Sequence, residues 1–283
     1  KQNFNFFNLD ISEMKNLEII FKEKKYDYIL NLAAQVAVTT SIDDPIYDFN
    51  VNLLGTINIL ELLKKYQKNT FFVFSSTNKV YGKLQEYKIV ENEFRYSFDE
   101  IKNIDEKQNL SFISPYGCSK GAAEQYVLDY GYTYNLNTTV LRKSCIYGQN
   151  QYGIEDQGWV SWFIINLLKE KKINIYGTGK QVRDILHIND LCELYKILFD
   201  KRDKVRGNAY NIGGGINNSV SLLELIKIAE NISNKKFILE FLTERLGDQK
   251  VYISSIKKIF EDTNWKPKIN TDQGIKLIYE WLS

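Results

Sequence analysis

Hydrophobic and polar residues change their spacing along this chain in a regular way. Short segments such as Tyr28 to Leu32 and Thr70 to Ser75 have the length and composition of buried strands. Elsewhere, Leu17, Ile20 and Phe21 recur at the spacing of one helix face. The pattern predicts strands over residues 4–9, 28–32, 70–75 and 138–142, and helices over 14–24, 45–65, 116–134, 159–169, 190–200 and 221–230.

This alternation of strands and helices predicts the fold. It favours an α/β protein with a parallel, doubly wound sheet, in which ligands bind at the carboxyl ends of the strands. Two polar segments follow predicted strands at such ends, Ser75-Ser76-Thr77 and Arg142-Lys143-Ser144-Cys145. After Gly148 the pattern is less regular. We therefore predict a sheet domain over 1–147 and a smaller lobe over 148–283, interleaved with the last sheet strands.

The composition excludes several classes of function. Of the 283 residues 44% are hydrophobic, and 37 Lys and Arg nearly balance 35 Asp and Glu, so nothing indicates a nucleic-acid partner. The cysteines Cys118, Cys145 and Cys192 are far apart and fit neither a disulfide framework nor a metal site. No apolar run approaches the ~20 residues of a membrane span. We therefore expect a cytoplasmic protein without a metal.

Tyr116 and Lys120 form a YxxxK motif with a specific chemistry. Residues i and i+4 share a helix face, so the two side chains are neighbours. A tyrosine ordinarily ionises near pH ~10, and an adjacent ammonium favours the phenolate, which exchanges a proton with a sugar hydroxyl near neutrality. Thr77, at the end of an earlier predicted strand, would hold the reacting oxygen. These three are the predicted catalytic residues, since such a group accompanies hydride transfer to a nicotinamide.

Several segments together resemble one enzyme superfamily. They are Asn31 to Ala34, Asn52 to Thr56, Ser75 to Gly82, Ser114 to Lys120, and Arg142 with Ile146-Tyr147-Gly148. In order and spacing they resemble the extended short-chain dehydrogenases/reductases, which include the NAD-dependent epimerases and dehydratases. The resemblance covers nearly the whole chain. It implies NAD as cofactor, a partial Rossmann domain over 1–147 and a nucleotide-sugar lobe over 148–283.

Three further segments resemble a smaller group of enzymes within this superfamily. Gln35 to Asp43, Asp156 to Val160 and Gly179 to His187 are similar to the CDP-tyvelose epimerases, also called CDP-paratose 2-epimerases. This implies epimerisation at C2 of a CDP-activated, or otherwise nucleotide-activated, deoxyhexose. The 4,6-dehydratases carry Asp-Glu directly after the catalytic Thr, whereas Asn78-Lys79 stand here, which argues against dehydration. A UDP-hexose 4-epimerase stays open, as does a non-catalytic nucleotide-sugar binder.

The resemblance also implies which residues bind ligands. Tyr116 and Lys120 would contact the cofactor as well as act in catalysis. Guanidinium groups suit diphosphate oxygens, so Arg183 and Arg245 are the cations that we assign to the diphosphate. The other implied residues are Asp10, Ile11, Ala33, Ala34, Asn52 and Ser75 for the cofactor, and Gln35 and Cys145 for the substrate.

The remaining motifs add no second site. His187, the only histidine, lies in an apolar run and is predicted to be structural. Gly213-Gly214-Gly215 lacks the spacing of a dinucleotide loop and predicts a tight turn.

The start of the chain differs from a complete Rossmann domain. No glycine-rich pyrophosphate loop occurs in the sequence, and the chain begins without Met. We therefore expect that the first βαβ portion of the fold is absent from this sequence. The helices over 45–65 and 116–134 form the dimer interface of related enzymes, so the resemblance also implies a homo-oligomer, either a dimer or a tetramer.

Overall fold

The computed structural model describes residues 4–244 and 249–283. The helices are α1 (Met14–Glu23), α2 (Val38–Asp43), α3 (Pro45–Phe49), α4 (Gly55–Tyr66), α5 (Ser114–Thr133), α6 (Trp159–Leu168), α7 (Ile188–Asp200), α8 (Arg202–Val205), α9 (Leu222–Ser233), α10 (Lys257–Thr263) and α11 (Thr271–Leu282). The strands are β1 (Tyr28–Asn31), β2 (Phe71–Thr77), β3 (Ile89–Glu91), β4 (Tyr96–Phe98), β5 (Asn137–Lys143), β6 (Cys145–Tyr147), β7 (Lys172–Tyr176), β8 (Val182–His187), β9 (Asn208–Ile212), β10 (Ser219–Ser221), β11 (Ile238–Leu242) and β12 (Val251–Tyr252).

The main sheet is parallel and has the strand order β1-β2-β5-β9. Its central strands β2 and β5 are almost entirely buried, which accounts for their continuous apolar character. Their register pairs Thr77 with Lys143, and Lys143 in turn pairs with Ile212 of β9. The carboxyl ends of β2 and β5 therefore present Thr77 and Lys143 side by side.

Helices cover both faces of this sheet. On one face α1, α4 and α5 pack against it through Phe21, Leu60 and Val127. On the other face α7 and the segment around Trp265 pack through Leu194 and Leu198. The prediction of a doubly wound, parallel α/β sheet is confirmed.

The second lobe is built around β8. This strand pairs with β10 in antiparallel fashion and with β6 and β12 in parallel fashion, while β7 pairs with β11. Helices α6, α9 and α11 enclose a separate core that includes Ile164, Leu225 and Ile275. Between β8 and β10 the chain returns to the main sheet as β9, so the two units interleave. The division at residue 147 stays a prediction.

Two expected elements differ from the structure. Residues 4–9 form no strand, and Phe4 and Phe6 are 83% and 77% exposed. A strand needs a hydrogen-bonded neighbour, and in the described residues β1 pairs only with β2. The helix expected over 45–65 is interrupted by a π-helical segment, Asn50–Leu54, that joins α3 to α4. Within the described ranges, no helix has both the length and the apolar character to span a bilayer.

A buried ion pair fixes α5 against the main sheet. Glu124 on α5 is fully buried and receives hydrogen bonds from Arg142 of β5, with Nη2 to Oε1 at 2.7 Å and Nε to Oε1 at 3.1 Å. Ser76 of β2 donates to the other carboxylate oxygen at 2.6 Å. Arg142 also donates to the Tyr81 hydroxyl at 2.9 Å. Glu124 thus joins α5 to both central strands.

Breaking this pair should destabilise the fold strongly. Arg142→Met leaves the Glu124 carboxylate buried without its charge partner, and we expect a loss of about 3–5 kcal/mol in the free energy of unfolding. Urea denaturation followed by circular dichroism measures it. The control is Glu170→Gln, which breaks the exposed Lys235–Glu170 pair at 2.8 Å and should change the free energy of unfolding little, because both side chains remain in contact with water. Equal losses in the two variants would contradict the anchoring role of Glu124 and Arg142.

Candidate active site

A large cavity lies at the carboxyl ends of the main-sheet strands. Its volume is about 1110 Å³, and it extends from the sheet to the second lobe. The sheet side contributes the ends of β2 and β5 and the first turns of α5. The lobe side contributes the segment 155–163 together with parts of β7 and β8. This is where a doubly wound sheet binds its ligands.

The three predicted catalytic residues meet in this cavity. Thr77 ends β2, while Tyr116 and Lys120 lie one turn apart at the start of α5. The Thr77 hydroxyl acts on the Tyr116 phenol and lowers its pKa, so the two groups are close. Lys120 is 2% exposed, and its ammonium lies 4.2 Å from the centroid of the Phe74 ring. Because Glu124 is one further turn along the same helix face, its ion pair holds all three α5 side chains towards the sheet.

The electrostatics of this group differ from the simple expectation for YxxxK. Burial raises the pKa of Tyr116 to about 12, although the Thr77 hydroxyl opposes the rise. Burial, together with the charge of Lys143, lowers the pKa of Lys120 to about 7. We expected Lys120 to lower the pKa of Tyr116, but burial is the largest influence on the pKa of both groups. In this environment Tyr116 is a neutral phenol at pH 7.

A buried carboxylate, Asp48 of α3, lies behind the catalytic helix. It is fully buried and accepts hydrogen bonds from Ser119 Oγ at 2.5 Å and Asn52 Nδ2 at 3.0 Å. Burial raises the pKa of Asp48, while the bond from Ser119 and the charge of Lys120 lower it. Asp48 in turn raises the pKa of Lys120. It therefore favours the ammonium form that burial opposes.

The lobe side of the cavity carries Cys145, Trp159 and Arg183. Trp159 Nε1 donates to the Cys145 sulfur at 3.3 Å, and burial raises the pKa of this thiol. Arg183 Nη1 donates to the Val182 carbonyl at 2.8 Å, and its charge lowers the Cys145 pKa. Cys145 and Arg183 are therefore close, as expected for two substrate-binding residues.

The structure does not bring every expected ligand-binding residue to the cavity. Ala34 and Ser75 line it with the catalytic group. Gln35 and Asn52 instead bond to each other, since Asn52 Oδ1 accepts from Gln35 N at 3.1 Å and Asn52 Nδ2 donates to Gln35 O at 3.1 Å. The expected residues that do not line this cavity are Asp10, Ile11, Ala33, Gln35 and Asn52, and their roles stay predictions. Arg245 lies outside the described residues.

Asp10 and Ile11 have local structural contacts. The Asp10 carboxylate accepts from Ser12 N at 2.8 Å and from Ser12 Oγ at 2.7 Å, and these bonds lower its pKa. Ile11 packs so closely on Gly55 that a Cβ there would lie 2.6 Å from the Ile11 side chain. Their assignment to the adenosine stays a prediction.

His187 and the three glycines have structural roles. His187 is fully buried, accepts from Asn189 N at 3.3 Å through Nδ1, and caps α7. Gly213-Gly214-Gly215 packs against β8, where a Cβ on Gly213 would lie 2.0 Å from an Asp184 oxygen and Gly215 has φ +66°. Gly215 N donates to the same buried carboxylate at 3.0 Å. In the described part of the chain, no group of His, Cys, Asp and Glu could hold a metal.

Comparison with known proteins identifies the family. The model of the GDP-mannose 4,6 dehydratase family matches residues 1–278. The chain belongs to this family. Its members include NAD-dependent epimerases and dehydratases, so the superfamily resemblance of the sequence is confirmed.

Three similar proteins are epimerases of nucleotide sugars. CDP-paratose 2-epimerase of Salmonella typhi is 45% identical over 287 residues, covering 99% of this chain and 85% of that protein. UDP-glucose 4-epimerase of Thermotoga maritima, solved with UDP-glucose, has a TM-score of 0.86 at 29% identity, covering 99% and 85% of the two chains. UDP-glucose 4-epimerase of Thermus thermophilus in complex with NAD has a TM-score of 0.86 at 27% identity, covering 100% and 86%.

Sequence reasoning missed three charged residues of the site, Asp48, Glu124 and Lys143. Glu124 could have been found, because it continues the Tyr116 and Lys120 helix face by one turn. Lys143 follows the strand predicted over 138–142 and was named in the polar segment there, but no role was assigned to it. Nothing in the sequence indicated that Asp48 is buried at the site, since a carboxylate on a short helix is ordinarily exposed.

The buried ammonium group of Lys120 should make the stability of the protein depend on pH. The pKa of this group falls from 10.5 to about 7 on folding, so below pH 7 its burial costs on the order of 4 kcal/mol. Between pH 7 and 10.5 the unfolded chain binds a proton that the folded chain lacks, so wild-type stability rises with pH. Lys120→Met is expected to be more stable than wild type at pH 6, by an amount that shrinks above pH 7.

Chemical denaturation of the protein without added nucleotide, at half-unit steps from pH 6 to 9, measures this difference. Lys196→Met is the control, because it removes an exposed lysine from α7. Its stability should follow wild type at every pH. A difference between Lys120→Met and wild type that does not change with pH would contradict the lowered pKa.

Proposed function

We propose that this protein is an NAD-dependent nucleotide-sugar epimerase that inverts C2 of a CDP-activated deoxyhexose, interconverting CDP-paratose and CDP-tyvelose. The observation that carries the proposal is the meeting of Thr77, Tyr116 and Lys120 in one cavity that continues to Arg183. The 45% identity to the Salmonella typhi CDP-paratose 2-epimerase supports the substrate. The matched segments of that relative cover 99% of this chain.

The residues present fit the nicotinamide-ribose end of NAD. The Lys120 ammonium makes no hydrogen bond to the described residues, although it is nearly buried, so it is available to ribose hydroxyls. Tyr116, Ser75 and the small Ala34 border the same part of the cavity. When bound, NAD supplies a hydride acceptor and donor.

The protein's own residues manage the proton and the position of the sugar. Thr77 holds the reacting oxygen through its hydroxyl, beside the Tyr116 phenol whose pKa it lowers. Tyr116 accepts the proton of the C2 hydroxyl as that carbon is oxidised to a ketone, and it returns the proton when the carbon is reduced on the other face. Tyr116 must first lose its own proton, which the positive charge of Lys120 favours.

The position after Thr77 argues against elimination of water. Asn78 and Lys79 stand there, and neither side chain is a carboxyl group. Asn78 lines the cavity. It accepts a hydrogen bond from Thr77 Oγ1 at 3.4 Å and donates to Gln249 Oε1 at 3.4 Å. An epimerase needs only the Thr77, Tyr116 and Lys120 group. The 29% identity to the Thermotoga maritima UDP-glucose 4-epimerase makes C4 epimerisation the second candidate.

Incubation with CDP-paratose, followed by NMR of the C2 configuration, tests the proposal. We expect CDP-tyvelose to accumulate until the two sugars reach equilibrium. Tyr116→Phe removes the proton acceptor and should lower kcat by about 10²- to 10⁴-fold without weakening nucleotide binding. Tyr126→Phe, on the exposed face of the same helix, is the matched control and should keep wild-type activity.

Two outcomes would overturn the proposed function. Turnover of UDP-galactose at C4 with no inversion of CDP-paratose would assign the second candidate. Binding of CDP-paratose without turnover, in protein from which no NAD is recovered by mass analysis, would identify a non-catalytic binder.

A further inference from the structure

Lys143 is a charged residue at the centre of the cavity that the proposed chemistry does not use. It is the last residue of β5, and the sheet register places it directly beside Thr77 of β2. Neighbouring strands lie about 4.8 Å apart, and register partners in a parallel pair point to the same face. Both residues line the cavity. Lys143 and Thr77 therefore present their side chains to the same part of a bound ligand.

The Lys143 ammonium has no partner within the described residues. It takes part in no hydrogen bond or ion pair there, although the residue is half-buried. Burial lowers its pKa to about 8, which leaves it mostly protonated at pH 7. Holding a cation in this position without a partner costs free energy, which a ligand oxygen would offset.

The electrostatic neighbours of Lys143 place it near the reacting carbon. Its charge lowers the pKa of Lys120, so the two ammonium groups are close. The positive charges that lower the Cys145 pKa are instead those of Arg183 and Lys79. Lys143 thus belongs with Thr77 and Lys120, whereas Arg183 is the cation that we assign to the diphosphate.

We propose that Lys143 is a substrate-binding residue that donates a hydrogen bond to an oxygen of the hexose, next to the oxygen held by Thr77. This inference rests on the proposed function, since it takes the ligand to be a nucleotide sugar with its hexose at Thr77. An ammonium group suits this position because sugar hydroxyl and carbonyl oxygens are acceptors, and a ketone oxygen gains partial negative charge as it is reduced. Lys143 contributes to binding of the hexose and not to binding of CDP or NAD.

Binding measurements in a Tyr116→Phe background separate these contributions, because we expect this variant to turn the substrate over about 10²- to 10⁴-fold more slowly. Isothermal titration with CDP-paratose and with CDP alone gives the two dissociation constants. Adding Lys143→Met should raise the Kd for CDP-paratose about 10- to 100-fold and leave the Kd for CDP and for NAD within about twofold. Lys143→Arg keeps a donor and should lose less than Lys143→Met.

Lys196→Met is the matched control. It removes the same charge from the exposed face of α7, outside the residues that line the cavity. We expect it to leave both dissociation constants within about threefold of the background. Circular dichroism and thermal unfolding confirm that each variant is folded.

The outcomes decide between the possible contacts of Lys143. An equal loss of affinity for CDP and CDP-paratose would place Lys143 on the nucleotide and overturn the inference, as would a loss of NAD binding or no change at all. If wild type turns over UDP-galactose instead, the proposed function fails, and the same titrations with UDP and UDP-galactose decide the role of Lys143. Failure of wild type to bind any of these nucleotide sugars would overturn both.

Discussion

The buried contact between Glu124 and Arg142 is the constraint on which the site depends. It ties α5 to β5, and through Ser76 it ties the helix to β2 as well. Because Glu124 is on the same helix face as Tyr116 and Lys120, the rotation of α5 that satisfies its carboxylate also turns both side chains to Thr77. The geometry of the proposed proton transfer therefore follows from an ion pair that is not part of the cavity lining. A buried pair of this kind favours one arrangement, since any other leaves charges unpaired.

The buried positive charges of the cavity lower the stability of the fold, and the proposed chemistry depends on them. Lys120 and Lys143 bring two ammonium groups close together, and burial lowers the pKa of both. The buried carboxylate of Asp48 opposes this effect at Lys120. An apolar side chain in place of Lys120 would avoid the cost of this buried charge, whereas the proposed chemistry needs an ammonium group beside Tyr116. Strained electrostatics of this type are typical of functional sites.

Much of the fold was predictable because its signals are local. The runs of β2 and β5, and the YxxxK spacing on α5, follow from strand and helix periodicity, and they sufficed to bring Thr77, Tyr116 and Lys120 together. The failures have tertiary causes. Residues 4–9 have the composition of a strand but no hydrogen-bonded neighbour among the described residues. The hydrogen bonds between Gln35 and Asn52 were not foreseen either, since no periodicity reveals such pairing, and the ligand-binding role of these two residues stays a prediction.

The π-helical segment Asn50–Leu54 has a consequence for how this chain can vary in length. A π-turn holds one more residue than an α-turn, so loss of a single residue here would restore regular α-helix. Both kinds of turn complete one full rotation, so α3 and α4 would keep the faces that they bury, and Leu60 and Leu63 would stay in the core. The change would fall on the turn itself, where Asn52 would lose the position from which it contacts Asp48 and Ser119. The extra residue of this turn therefore serves the buried polar contacts of Asn52 and not the packing of α4.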